Sequence, residues 1–260
     1  MPELEIDGRR LRYEFSGPGD APVLTFANSL GTTLEMWAPQ AAALGDRYRL
    51  LRFDARGHGG SDLGDAAPVE SFADDVLSLL DHLGIAQTHF CGLSLGGLTG
   101  QALAIAAPDR LLSLTLANTA VQIPGDALWN GRIAAVRAGG LESIAEAVLA
   151  RWLTPDAPPE LRTHLEEMLC SIEREGYARA CIAVRDADFR DRAPAIAAPT
   201  LVISGDGDTA TPPEMSETLA GLIPGARHVM LKGAGHISNL EQAAAFTDAL
   251  RAHLDRHPEG

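Results

Sequence analysis

Short apolar runs recur along the chain with helix-like patterns between them. Residues 23–27 form such a run without alternation, as expected of a strand that is covered on both faces of a parallel sheet. Further strand candidates lie at residues 50–53, 88–91, 112–116, 200–203 and 228–231. Strands that alternate with helices predict a layered α/β fold with a mostly parallel central sheet and helices on both faces.

The N-terminal segment has a different pattern. Residues 4–6 and 11–15 alternate apolar with polar side chains, and Asp7-Gly8 lies between them. Aspartate followed by glycine is a strong signal for a tight turn between paired strands. We therefore expect an antiparallel pair at this edge of the sheet.

A long middle stretch has no convincing strand. Between Asn118 and Pro199 the apolar spacing is helical, for example over residues 141–152 and 161–175, and prolines punctuate the segment. The pattern predicts a helical cap at residues 121–192, inserted between two parts of one core, residues 1–120 and 193–260.

Composition and charge narrow the classes of function. The 260 residues carry 21 Lys and Arg against 35 Asp and Glu, a formal net charge of -14, which disfavours nucleic acid and anionic membranes as partners. No apolar run approaches the roughly 18 to 20 residues that span a bilayer. The first residues lack the features of a secretory signal, so we expect a cytoplasmic protein. The three cysteines have spacings that fit neither a disulfide framework nor a metal site, and we expect buried or half-buried thiols.

The sharpest local motif is Gly92-Leu93-Ser94-Leu95-Gly96, between a predicted strand and a predicted helix that starts near Leu95. A serine at such a turn has a strained backbone and small neighbours, and this geometry presents its hydroxyl as a nucleophile. The alternative is a serine that merely caps the helix. The strand and helix on either side favour the nucleophile.

A serine hydroxyl needs a base, and the base needs a carboxylate that orients it. His236 follows Gly233-Ala234-Gly235 directly after a strand, where sheet folds present side chains to a crevice. The other histidines after Ser94 are less suitable, because they fall in the cap, a strand and the terminal helix: His164, His228, His253 and His257.

Two aspartates compete for the role of the acid. Asp206 and Asp208 both follow the strand at 200–203. Asp208 is preferred because the loop must reach sideways to His236, whereas Asp206 is better placed to stabilise its glycine-rich turn through an Asx bond.

An oxyanion hole needs two backbone N–H donors. Leu95 follows the nucleophile and supplies one, and Leu30, in the loop after the strand at 23–27, is predicted to supply the other. The loop resembles the corresponding loop of the α/β-hydrolases, which usually has His-Gly where this chain has Asn28-Ser29. A backbone donor tolerates that side-chain change.

The segment 54–61 (DARGHGGS) superficially suggests a phosphate loop, but it lacks the lysine and spacing that such loops need. We expect Asp54 and His58 to be structural and to support the nucleophile loop.

With these motifs in order, the chain resembles an α/β-hydrolase along nearly its whole length. Further segments resemble the 3-oxoadipate enol-lactonases in particular: residues 28–33, Met36-Trp37, residues 91–94, 128–130, 175–177, 185–188 and 236–239. The resemblance implies hydrolysis of a small anionic enol-lactone in aromatic-compound degradation, with Ser94 attacking the carbonyl and neither a metal nor an organic cofactor required. A broader carboxylesterase, a carbon–carbon bond hydrolase and a non-catalytic binding protein remain alternatives, and the oligomeric state is open.

An acidic protein that binds an anionic lactone needs local cations. Trp129, Arg132, Ile133 and Val136 share one helical stripe, so Arg132 is predicted to face inward and hold the substrate carboxylate while Trp129 walls the pocket. The alternative is that Arg132 snorkels past the stripe or pairs with a core carboxylate. Arg137 and Arg151 are rival candidates.

Overall fold

The computed structural model describes residues 3–258, in which eight strands form one sheet in the order β1-β2-β4-β3-β5-β6-β7-β8. The strands are β1 (Glu3–Ile6), β2 (Arg9–Ser16), β3 (Val23–Ala27), β4 (Arg49–Phe53), β5 (Thr88–Leu93), β6 (Leu111–Ala117), β7 (Thr200–Gly205) and β8 (Arg227–Leu231). All the strand predictions are confirmed to within two residues at each end. The fold class is that of an α/β-hydrolase.

The strand directions follow from the connections. β1 and β2 are antiparallel across the Asp7-Gly8 turn, and β2 is antiparallel to β4. The remaining neighbours, from β4 to β8, are parallel. Parallel strands place their carboxyl ends at one edge, which is where open α/β sheets bind ligands.

Helices follow the strands as the alternation predicted. They are α1 (Ala38–Leu44), α2 (Glu70–His82), α3 (Leu95–Ala106), α4 (Asp126–Gly139), α5 (Ala145–Trp152), α6 (Pro159–Cys170), α7 (Arg174–Asp186), α8 (Pro213–Leu222), α9 (Ser238–Glu241) and α10 (Ala243–Leu254). Four short 3₁₀ segments also occur in the described part of the chain: Leu34–Trp37, Pro108–Arg110, Leu141–Ser143 and Ala193–Ala195.

Both faces of the sheet are covered. Phe26 stacks on Trp37 with ring centroids 4.6 Å apart, and Trp37 in turn contacts Phe246 of α10. Phe90 of β5 lies on the opposite face, where Gly100 lets α3 approach so closely that a Cβ would lie 2.9 Å from the Phe90 ring. A strand buried on both sides has no polar face, which explains the unalternating apolar runs.

The middle segment contains α4 to α7, between β6 and β7, and no strand is found between Ala117 and Thr200 among the described residues. The expectation of one helix over residues 161–175 is wrong, because α6 ends at Cys170 and α7 begins at Arg174. Glu173 has an extended backbone, and its carboxylate accepts a 2.5 Å hydrogen bond from the Gly176 N–H, which caps α7. Apolar periodicity continued through this break and concealed it.

Of two smaller expectations, the first is wrong and the second is confirmed. His257 lies beyond the end of α10 and not within it. The cysteines are as expected: Cys91 and Cys181 are buried thiols, and Cys170 is half-buried. Within residues 3–258 no helix combines the length and apolarity that crossing a bilayer requires.

Candidate active site

Ser94 lies at the turn between β5 and α3 with φ 57° and ψ −110°, a conformation that non-glycine residues rarely adopt. The glycines on either side permit this turn. A Cβ on Gly92 would lie 2.0 Å from the Gly96 carbonyl oxygen, and one on Gly96 would lie 2.2 Å from that of Ala27. The strain and the tight packing present Ser94 at the carboxyl edge of the sheet, as a nucleophile requires.

His236 and Asp208 are brought together from loops after β8 and β7. Nδ1 of His236 lies 2.9 Å from Oδ2 of Asp208, and both side chains are almost completely buried. Nδ1–H donates to the carboxylate in this pair, which leaves Nε2 free to act as a base.

The Asp208 carboxylate accepts further hydrogen bonds. The backbone N–H groups of Ala210 and Thr211 donate to Oδ1 at 2.8 and 2.9 Å, while the Thr211 hydroxyl and the Asn118 amide donate to Oδ2 at 2.7 and 3.0 Å. Burial alone would raise the pKa of Asp208, but His236 and these donors outweigh it and hold that pKa below its ordinary value. The carboxylate is therefore charged at neutral pH.

Asn118 and Thr211 were not found from the sequence. Asn118 follows β6 with φ 45°, and its amide also donates to the Gly235 carbonyl at 3.2 Å. The Thr211 hydroxyl oxygen lies 3.2 Å from Nδ1 of His236. An asparagine directly after a parallel strand is the one signal that could have pointed to Asn118.

Asp206, unlike Asp208, lies away from the His236 imidazole. Its side chain is exposed, and Oδ1 accepts a 2.7 Å hydrogen bond from the Gly233 N–H. The expected Asx bond within its own turn is replaced by this bond to the turn that precedes His236. Asp206 thus ties the two loops together without contacting the imidazole.

Leu30 and Leu95 are the predicted donors of the oxyanion hole. Neither N–H has a hydrogen-bond partner among the described residues, whereas both following residues are engaged: Gly31 N–H donates to Nε2 of His58 at 3.1 Å and Gly96 N–H donates to the Asn28 carbonyl at 3.0 Å. Flanking groups that are fixed in this way leave two oriented donors beside Ser94.

The segment 54–61 was expected to support the nucleophile loop. It supports the Leu30 loop instead. The Leu34 N–H donates to Asp54 at 2.8 Å, and His58 accepts from Gly31 while its Nδ1 lies 3.1 Å from the Arg56 carbonyl. Burial lowers the pKa of His58 to about 4. A neutral imidazole is the state that can accept from Gly31.

Asn28 explains how this chain does without the usual histidine. Its amide donates to the Phe53 carbonyl at 2.8 Å, and its oxygen accepts from Nε1 of Trp37 at 3.0 Å. These buried bonds fix the start of the Leu30 loop through a side chain that never needs to reach the substrate.

Ser94 and His236 open on one cavity of about 540 Å³, counting its mouth. The sheet side contributes Ser29, Leu30 and Thr211, and the helices between β6 and β7 contribute the other wall: Trp129, Arg132, Arg151, Trp152 and Tyr177. A concave site with both apolar and polar side chains in its walls suits a small organic molecule. No three His, Cys, Asp or Glu residues of the described chain are grouped to hold a metal ion.

Arg132 faces this cavity, as the helical stripe predicted. Its guanidinium lies 5.0 Å from the Trp129 ring centroid, and Nη1 donates to the Tyr177 hydroxyl at 3.4 Å. The alternative of a core carboxylate partner is wrong for the described residues. Arg137 is excluded as a rival because it pairs with Glu175 on the exposed surface, but Arg151 also lines the cavity.

Comparisons with known proteins agree with this geometry. Residues 26–249 match the model of the alpha/beta hydrolase family. This chain belongs to that family. The matched range of the hydrolase includes Ser94, Asp208 and His236, so the candidate nucleophile, acid and base all fall within the family region.

Individual relatives are close over their whole length. A curated 3-oxoadipate enol-lactonase 2 of Acinetobacter baylyi is 41% identical to this hydrolase over 95% of the chain and 93% of its own length. The crystal structure of an enol-lactonase from Burkholderia xenovorans LB400 matches at 43% identity and TM-score 0.95, covering 98% of this chain and all of that one. A thermophilic esterase from Thermogutta terrifontis, solved with malate bound, matches at 31% identity and TM-score 0.92, covering 99% and 100% of the two chains.

Proposed function

We propose that this hydrolase opens 3-oxoadipate enol-lactone to 3-oxoadipate through an acyl-enzyme, as a step in aromatic-compound degradation. The observation that carries the proposal is a cavity that joins the Ser94 turn to an arginine without a carboxylate partner among the described residues, in a chain 41% identical to an enol-lactonase. A serine nucleophile accounts for ester cleavage, and the cation accounts for an anionic substrate.

The reaction follows from the positions of the side chains. Ser94 attacks the lactone carbonyl while Nε2 of His236 accepts its proton, and Asp208 stabilises the imidazolium. The N–H groups of Leu30 and Leu95 stabilise the oxyanion. The carbon–oxygen bond of the ring breaks, the enolate relaxes to the ketone, and water activated by His236 releases 3-oxoadipate.

The helices between β6 and β7 supply the specificity in this proposal. We assign residues 121–192 as a cap on a core formed by 1–120 and 193–260, with Trp129 walling the pocket and Arg132 holding the substrate carboxylate. In this proposal the cap is the part of the protein that discriminates between this lactone and other esters.

The direct test is the loss of enol-lactone absorbance with purified protein. We expect rapid turnover that Ser94→Ala abolishes, with melting temperature unchanged. Wild-type protein that leaves the lactone untouched refutes the proposal.

A broader carboxylesterase is the second candidate, and the 31% identical esterase favours it. An enol-lactonase and a broad carboxylesterase differ in substrate preference, because the cavity arginines bind a carboxylate that a neutral ester lacks. We expect kcat/KM on the enol-lactone to exceed that on neutral aryl acetates, and the reverse order favours the esterase.

A further inference from the structure

Two arginines line the cavity with most of their donors unused. Arg132 donates to the Tyr177 hydroxyl and Arg151 to the Ala210 carbonyl, each through a single long bond of 3.4 Å. Neither has a carboxylate within salt-bridge distance among residues 3–258. A guanidinium has five N–H donors, and Arg137 on the outer surface uses two of them on Glu175 at 2.9 and 2.8 Å.

Two such cations in one cavity oppose each other. Burial lowers the pKa of Arg151, and the charge of Arg132 lowers it further. Asp208 is the carboxylate that counteracts this, but its oxygens are committed to His236 and to the donors that surround it. The cavity is therefore suited to a ligand that carries more than one negative charge.

The proposed substrate gains its second charge only during the reaction. 3-Oxoadipate enol-lactone has one carboxylate, and its ring oxygen is bonded to a carbon one methylene away from that group. When the bond between acyl carbon and ring oxygen breaks, the electron pair stays on the ring oxygen as an enolate. The two anionic groups are then neighbours on the same end of the molecule.

The two arginines lie on different helices of the same wall. Arg132 lies on α4 against Trp129, whereas Arg151 lies on α5 beside Trp152. The backbone carbonyl of Trp152 accepts a 2.8 Å hydrogen bond from the backbone N–H of His236. Arg151 also contacts Ala210, two residues after Asp208 in the chain. Arg151 is thus the cation tied to the segment that carries the base and the acid.

We propose that Arg151 is a further catalytic residue that donates to the ring oxygen as it becomes an enolate, while Arg132 holds the carboxylate. This inference rests on the proposed function. In the step, the Ser94 oxygen bonds to the acyl carbon, the ring carbon–oxygen bond breaks, and His236 retains the proton of Ser94 until the enolate takes it up at carbon. Interactions that strengthen only as charge develops lower the barrier without tightening substrate binding.

The test separates binding of the carboxylate from stabilisation of the enolate. We would measure kcat/KM on the enol-lactone, and Ki for cyclopentylacetate, which has a ring and a carboxylate but no leaving oxygen. Arg151→Gln is expected to lower kcat/KM by about 10- to 150-fold and to leave Ki within about threefold. Arg132→Gln is expected to weaken cyclopentylacetate binding, and Arg137→Gln, outside the cavity, serves as the matched control.

Arg151→Lys protects the test against misfolding. It keeps the charge and is expected to retain kcat/KM within about tenfold of wild type, so an equal loss in the Lys and Gln variants overturns the proposal. An Arg151→Gln variant with unchanged kcat/KM, or with Ki raised as much as kcat/KM falls, overturns it as well. Failure of the wild type to open the lactone is a different result, because that refutes the proposed function itself.

Discussion

The two sides of the cavity treat their charges in opposite ways. On the sheet side, the rim consists of the candidate catalytic residues Ser94, Asp208 and His236 with the supporting residues Asn118 and Thr211. The Asp208 carboxylate accepts five hydrogen bonds from described residues. On the helical side, the cap wall presents Arg132 and Arg151 with one 3.4 Å bond each.

The two sides therefore differ in when their hydrogen bonds form, either during folding or on substrate binding. A carboxylate that is hydrogen-bonded on all sides before substrate arrives is preorganised, so it needs no rearrangement when charge develops on His236. A wall with unused donors gains its hydrogen bonds from the substrate. In the proposed function, the rim breaks the ester bond and the wall selects which ester is bound.

The largest loss of activity is expected when the proposed nucleophile of the rim is removed. Ser94→Ala is expected to lower kcat on the enol-lactone by more than about 10⁴-fold, because no other group replaces the attacking oxygen. The melting temperature should not fall, since only a hydroxyl is lost. Steady-state assays together with thermal unfolding check both points, and activity within tenfold of wild type would remove Ser94 as the nucleophile.

The next largest loss of activity is expected when the proposed acid, Asp208, is replaced. Asp208→Asn is expected to lower kcat by about 10⁴-fold, because an amide favours the wrong imidazole tautomer at His236. Asp206→Asn is the matched control, since it alters a neighbouring exposed aspartate that bonds only to the loop at Gly233. That control should lose less than about tenfold. The opposite ranking of the two variants would assign the acid to Asp206.

The wall is tested by comparing a charged with a neutral substrate. Arg132→Ala should lower kcat/KM on the lactone by about 10- to 150-fold, the value of a charged hydrogen bond, and affect a neutral ester of similar size much less. Arg137→Ala, on the same helix but paired with Glu175, should change neither. Equal losses on both substrates would mean that Arg132 supports the cap and does not bind the carboxylate.

How far the sequence predicts each side follows the same division. The strands, the Ser94 turn and the His236 loop are local patterns, since apolar runs and glycines that permit close approach are visible within a few residues. Asn118 was missed because its partner Asp208 lies 90 residues away. Arg137 and Arg151 could not be ranked from helical spacing, because only the packed cap shows which one meets Glu175 and which one meets the cavity.

Acid should weaken the support that His58 gives to the Leu30 loop. Because burial lowers the pKa of His58 to about 4, the unfolded chain binds more protons between pH 6.5 and 4, and stability that is present above pH 6.5 is lost as pH falls through that window. His58→Gln is expected to flatten the curve by at most about 1.4 kcal/mol per pH unit in chemical denaturation. His164→Gln, at an exposed position, is the control. An unchanged slope in the His58 variant would show that this imidazole does not limit acid stability.

The smallest effect is expected where the rim is most redundant. Thr211→Val keeps the shape of the side chain but removes a hydroxyl that donates to Asp208 at 2.7 Å and lies 3.2 Å from His236. Four other donors still hold the carboxylate, so kcat should fall by less than about thirteenfold, the lower bound for the loss of one hydrogen bond to a charged group. Thr218→Val, which removes an exposed hydroxyl on α8, controls for the substitution itself. A loss above a hundredfold at Thr211 would mean that the rim is a chain of single dependencies, and the contrast with the cap wall would then disappear.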